Sequence, residues 1–190
     1  FAFGLYRIVA ARLKVGQKLN QEKIRQLQDE EAIEKAHQRA LNFLSYRVRS
    51  EEEVRQNLQK HDTPELIIAE VLERLRRTHL VDDKKFAETW VENRSAFRPR
   101  GRRALAYELR RKGIRRQIID EVLQDVNEEE LSYKAASKKY RRYRKLDWPE
   151  FREKMLAYLS RRGFNYYVSA QAVERVWEEN QPEASGQENG

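Results

Sequence analysis

Cysteine is absent from this 190-residue chain, so neither a disulfide framework nor a thiolate metal site is open to it. That absence fits a reducing compartment. No apolar run approaches the roughly 18 residues needed to span a bilayer, and no basic n-region followed by an apolar h-region opens the chain. The chain is therefore expected to be soluble and cytoplasmic, with no membrane partner. Phe1 stands where an initiator methionine would, so the natural start is expected to lie upstream. The sequence also lacks a Walker loop, a G-x-S-x-G elbow and a G-x-G-x-x-G turn. Its three histidines, His37, His61 and His79, are not spaced as metal ligands on one helix face. Asp82 and Asp83 are adjacent carboxylates, but they fall at a predicted helix start, where capping is their ordinary use. No catalytic residue, metal or cofactor is expected, and the chain reads as a non-enzyme.

What is present is charge. Hydrophobic residues make up 39% and charged residues 37% of the chain, which suits narrow helices that each bury one stripe better than a sheet buried on both faces. An elongated all-α protein is the expected fold. The formal net charge is +8, a sign that favours a polyanionic partner, nucleic acid first among them.

Self-similarity organises the chain. Leu58, Leu109 and Leu159 stand about 50 residues apart, and each has an apolar residue one helical turn earlier, at Val54, Leu105 and Met155. The same offsets then give Ile67, Ile118 and Val168; Val71, Val122 and Ala172; and Leu75, Val126 and Val176. Helical periodicity explains apolar columns within one unit, but only tandem repetition explains shared offsets in three. Three three-helix repeats are expected, at 31–80, 81–126 and 127–180, after an extension at 1–30 and before a disordered tail at 181–190.

Local signals mark the helices. A helix at about 21–29 is expected within the extension, and Phe1 to Ala11 reads as a strand end or a short helix. A separate helix at about 30–47 opens the first repeat, with Ala40, Leu41, Phe43 and Leu44 on its apolar side. Ser50 and Glu53 form a capping-box pattern before the next, and Thr63-Pro64 puts proline at the first helical position of the third. Phe86, Ala87, Trp90 and Val91 face inward on the first helix of repeat two. Asn127 and Glu130 repeat the capping-box spacing, and a further helix restarts at Pro149. Gly113 and Gly163 share a repeat position suited to a left-handed helix end, where the first repeat has Asp62.

The cations are not spread evenly. Residues 94–116 hold nine arginines and Lys112 against the single acid Glu108, a net of nine positive charges. Residues 134–145 hold seven cations and no acid. A merely solvated face mixes signs to limit repulsion, so these stretches are the candidate DNA- or partner-binding surface. The site is assigned to Arg94, Arg98, Arg100, Arg102, Arg103, Arg110, Arg111, Lys112, Arg115 and Arg116, with Lys138, Lys139, Arg141 and Arg142. Arginine favours two-pronged contact with phosphate or carboxylate. Changing Arg98, Arg100, Arg102 and Arg103 together to Ala is expected to abolish regulation of the partner while leaving helicity intact. Among the interleaved aromatics, Trp90 and Tyr140 are expected in the core, whereas Tyr107 suits stacking and packing equally.

Several strings resemble the RecX family of recombination regulators: Ala40-Leu41 with Leu44, Arg49-Ser50 with Glu53-Val54 and Leu58, Leu80-Val81-Asp82-Asp83 with Phe86-Ala87, Arg100-Gly101, and Glu108 to Ile114. Together they cover about residues 33–177. The resemblance implies a curved array of three-helix repeats that binds RecA, with or without DNA. Lying in the filament groove, such a protein suppresses ATP hydrolysis, strand exchange and repressor self-cleavage. A monomer is expected. Residues 1–30 have no counterpart in shorter family members. Two other function classes stand beside this one. A helix–turn–helix transcription factor would need short polar side chains reading base edges, and a scaffold for an acidic protein would bind without nucleic acid.

Overall fold

The structure is a computed structural model that describes residues 17–180. The readings of Phe1 to Ala11 and of the tail at 181–190 lie outside the described residues. Within them there are nine helices and no strand: α1 (Gln21–Leu44), α2 (Glu51–Gln59), α3 (Glu65–Arg77), α4 (Asp83–Phe97), α5 (Arg102–Arg111), α6 (Arg116–Gln124), α7 (Glu128–Tyr143), α8 (Trp148–Arg161) and α9 (Tyr166–Glu178). They follow one another in threes, as the shared offsets predict. The chain divides into two compact units, Phe1–Phe86 and Ala87–Gly190.

In the first unit, α1, α2 and α3 enclose Ala36, Ala40, Val54, Leu58, Ile68, Val71, Leu72, Leu75 and Val81, with Leu41, Phe43 and Leu44 packed partly buried against them. Asn20 opens α1 by accepting from the amide of Lys23 at 2.7 Å. At α2 the capping box forms as expected: Ser50 Oγ accepts from the Glu53 amide at 3.3 Å and Glu53 Oε2 from the Ser50 amide at 3.4 Å. The aspartate pair caps two different helices. Asp82 Oδ1 accepts from the amides of Lys84 and Lys85, and Asp83 Oδ1 reaches the first amide of α2, at Glu51, over 2.9 Å. Both carboxylates thus occupy the electropositive ends of helices.

Three boundaries differ from expectation. The segments expected at 21–29 and 30–47 form one helix, because Asp29-Glu30-Glu31 contains no breaker and Glu31 pairs forward with Lys35 at 2.8 Å. That helix stops at Leu44, and Arg47 turns away to Glu53 at 2.8 Å. Pro64 caps α3 from outside rather than sitting at its first position.

The second unit holds the remainder of α4 and α5 to α9. Leu105, Leu109, Ile119, Leu123, Met155, Leu159, Val173 and Val176 are buried along its helices. Asn127 and Asn165 cap α7 and α9, each accepting from an amide three residues on. The Asn127 cap is one-sided, since Glu130 turns to Lys134 at 3.6 Å. Asp147 caps α8, which begins at Trp148, one residue before Pro149. Phe151 is fully buried beneath Trp148 and Trp177, with ring centroids 6.3 and 4.9 Å away, and meets Tyr140 edge-on at 5.9 Å. Tyr140 is half-buried in this aromatic group, close to its expected place in the core.

Gly113 and Gly163 take φ of 79° and 86°, and Asp62 takes 55° at the corresponding position of the first repeat. Gly163 has a second reason to be glycine. A Cβ there would lie 2.5 Å from that of Ala104, and one at Gly101 would lie 2.2 Å from the Gly163 carbonyl oxygen. The two backbones touch, and the Gly101 amide donates to the Arg162 carbonyl at 3.0 Å. Pairwise contact of this kind fixes repeat two against repeat three.

Candidate nucleic-acid interface

The Arg94–Arg116 stretch separates into cations used internally and cations left at the surface. Glu108, on α5, accepts from Trp90 Nε1 at 2.8 Å and from Arg94 Nε at 2.7 Å, and forms an ion pair with Arg100 at 2.8 Å. The Arg94 guanidinium also lies over the Trp90 ring, 4.4 Å from its centroid, and Lys112 Nζ is 5.2 Å from the same ring. Trp90 is therefore half-buried between cations, not enclosed in the core. Arg102 serves α6: its guanidinium donates to the carbonyls of Val126 at 2.6 Å and Gln124 at 3.3 Å, satisfying groups that a helix end leaves without partners. Its amide is held by Glu128 Oε1 at 3.0 Å. Arg94, Arg100 and Arg102 thus have structural tasks, and their charge is largely spoken for.

Arg98, Arg103, Arg110, Arg111, Arg115 and Arg116 are exposed. Arg110 Nε donates along its own helix to Ala106, Arg116 pairs with Asp120 at 3.4 Å, and Arg111 lies 6.0 Å from the exposed Tyr107 ring. Tyr107 is on the surface, where its face is open to stacking, and Phe97 is 74% exposed close to Arg98 in sequence. In the 134–145 stretch, Lys138, Arg141 and Arg142 are exposed and Lys139 is half-buried. Lys138 Nζ donates to the Ala96 carbonyl at 3.2 Å, which brings this stretch beside the end of α4.

Two cations that the charge runs do not reveal join them. Arg161 and Arg162 end α8 next to Lys139, and together with Arg142 they depress the Lys139 ammonium below its ordinary value, after the larger effect of its burial. The Arg162 guanidinium sits 4.8 Å over the Tyr158 ring and donates to the Pro99 carbonyl at 3.0 Å. Only a pair of cations stands there in sequence, so counting runs passes over it. The signal was the absence of acids: residues 154–173 contain neither Asp nor Glu.

Among the described residues, no group of three or more His, Asp or Glu is placed to hold a metal ion, and no helix is long and apolar enough to cross a membrane.

Family models describing the first, second and third three-helix domains of RecX match residues 36–75, 82–123 and 127–173. The chain is 35% identical to the regulatory protein RecX of Bacillus velezensis over 189 residues, 97% of this chain and 72% of that protein. It is 36% identical to RecX of Chlorobium phaeobacteroides over 75% of this chain and 94% of the relative. Among solved structures it is similar to a crystal structure of regulatory protein RecX, with a TM-score of 0.77, 29% identity, and coverage of 89% of this chain and 86% of the other. The crystal structure of RecX from Lactobacillus salivarius superposes with a TM-score of 0.71 at 26% identity, covering 78% and 99%.

Proposed function

Because the chain belongs to the RecX family of regulatory proteins, we propose that it binds RecA and its filament on single-stranded DNA and restrains it. The restraint falls on ATP hydrolysis, strand exchange and the filament's stimulation of repressor self-cleavage. The observation that carries the DNA part is the set of exposed cations within Ala87–Gly190, among them Arg98, Arg103, Arg110, Arg111, Lys138 and Arg142. Guanidinium and ammonium groups left at the surface favour phosphates and acidic side chains. RecA as the protein partner rests on the family resemblance, and the reading takes the protein to act as a monomer in the cytoplasm. The protein acts in this reading as a ligand of the filament and not as an enzyme.

The helix–turn–helix alternative is disfavoured by α6, which follows the Gly113 turn. Its exposed residues mix Arg116 and Gln117 with Asp120 and Glu121, and two carboxylates on a recognition helix repel the phosphates that flank a DNA groove.

The test is a titration of RecA's single-stranded-DNA-dependent ATPase with this protein at two salt concentrations. Inhibition at well below one molecule per RecA, weaker at the higher salt, is the expected result. An unchanged ATPase rate at excess protein and low salt would overturn the reading.

A further inference from the structure

In the second unit, three stretches of fifteen residues or more contain no Asp or Glu: 93–107, 131–146 and 154–173. The fold brings all three to one place in the second unit. Pro99 accepts from Arg162, Ala96 from Lys138, and the Ser160 carbonyl from Arg103 Nη2 at 3.4 Å. Lys139 Nζ lies 5.0 Å from the Tyr158 ring and 5.4 Å from that of Tyr143. Elsewhere in the protein several half-buried or fixed arginines are held by carboxylates, as Arg74 is by Glu70 and Arg94 and Arg100 are by Glu108. At this seam Arg103, Lys138, Lys139 and Arg162 are held by rings and backbone carbonyls instead. Among the described residues, none of Arg103, Lys139, Arg142, Arg161 and Arg162 has a carboxylate partner. Rings and carbonyls fix position without cancelling charge, so the group repels itself and its field stays available to an incoming anion. Burial first, and then repulsion by Arg142, Arg162 and Arg161, holds the Lys139 ammonium below its ordinary pKa.

We propose that the seam formed by α5, α7 and α8 is a binding site for the phosphodiester backbone of a single nucleic-acid strand, contacted by Lys139, Arg142 and Arg161 and flanked by the fixed guanidinium groups of Arg103 and Arg162. Length selects a strand over a lone phosphate. Lys134, Lys138 and Arg142 recur at four-residue intervals along α7, a row about 12 Å long at 1.5 Å per residue. A single phosphate cannot span such a row, whereas an extended polyanion follows it. The half-buried Tyr143 and Tyr158 rings lie alongside and hold Lys139 and Arg162 in place. The choice of a single strand as probe rests on the filament reading. The site itself binds without RecA.

The experiment measures fluorescence anisotropy of a labelled oligothymidylate with the full chain alone, across a series of salt concentrations. The variant Lys139→Gln, Arg142→Gln, Arg161→Gln removes three charges that make no hydrogen bond to the rest of the fold. A control, Lys18→Gln, Lys60→Gln, Arg77→Gln, removes three charges from the first unit, and circular dichroism checks that both fold. The seam variant is expected to bind at least tenfold more weakly at low salt. The slope of log affinity against log salt should fall by about 2, the value for three lost contacts to a single strand. The control should keep the wild-type slope. Wild-type binding by the seam variant, or an equal loss in the control, would overturn the site. So would competition by inorganic pyrophosphate as effective as that by unlabelled oligothymidylate. Failure of the wild type to bind the oligonucleotide would also overturn it, while the ATPase titration with RecA would still decide the filament reading on its own.

Discussion

Glu108 shows how one residue changes the meaning of a charge run. It sits among ten cations, yet it accepts from Trp90 and Arg94, pairs with Arg100, and so converts part of that run into a packed polar cluster. Charge-assisted hydrogen bonds at a largely buried carboxylate contribute more than exposed ion pairs. Glu108→Ala is expected to lower stability by about 2–3 kcal/mol, read as a fall in the urea midpoint with the slope unchanged. No change would mean that water holds these arginines equally well. Arg102→Ala should cost about 1–2 kcal/mol by stranding the Gln124 and Val126 carbonyls. Arg98→Ala, which alters only an exposed side chain, should stay within about 0.5 kcal/mol of wild type in the same assay. The four-arginine substitution at 98, 100, 102 and 103 is consequently not a clean probe of binding, since two of its members support the fold. Sequence counts charges but does not show which cation finds a carbonyl or a carboxylate. That is why Arg94, Arg100 and Arg102 look like surface residues in the sequence, and why Arg161 and Arg162 go unnoticed there.

At the scale of elements the sequence was far more legible. Leu58, Leu109 and Leu159 have no exposed surface, and neither do Val54, Leu105 and Met155. These columns recur because each repeat places the same helix turn against the same neighbour. The next columns were only half right. Ile67, Ile118 and Val122 are half-buried, whereas the residues one step on, Ile68 and Ile119, then Leu72, Leu123 and Val173, are buried. An inward stripe on a helix is wider than one row, and repeat offsets alone do not select which row faces deepest. Leu109→Ala is expected to cost about 2–5 kcal/mol by opening a cavity, measured by thermal or chemical unfolding. A cost below 1 kcal/mol would show that the site collapses without loss. Ser50→Ala should cost about 1 kcal/mol through the lost cap of α2. Helix junctions were the least legible feature. Whether α1 breaks near residue 30 depends on side-chain pairing such as Glu31–Lys35, which no cap or breaker announces.

For the whole molecule, the proposed reading as a filament ligand requires an action that weakens with salt, and RecA ATPase inhibition at rising salt measures that directly. The contact between Gly101 and Gly163 adds something of a different kind. At the position of Gly163 the first repeat carries Asp62, which adopts the same left-handed backbone. Gly163→Asp is expected to destabilise the second unit by about 2–4 kcal/mol, combining left-handed strain with the collision against Ala104. An unfolding midpoint equal to wild type would show that α5 moves aside freely. The three modules share one pattern, yet a copy of the first in the third place would set Asp62 against Ala104. A tandem array of this kind cannot be shuffled or lengthened freely by recombination of its own coding repeats, because the order of its parts is written into a position that tolerates no side chain.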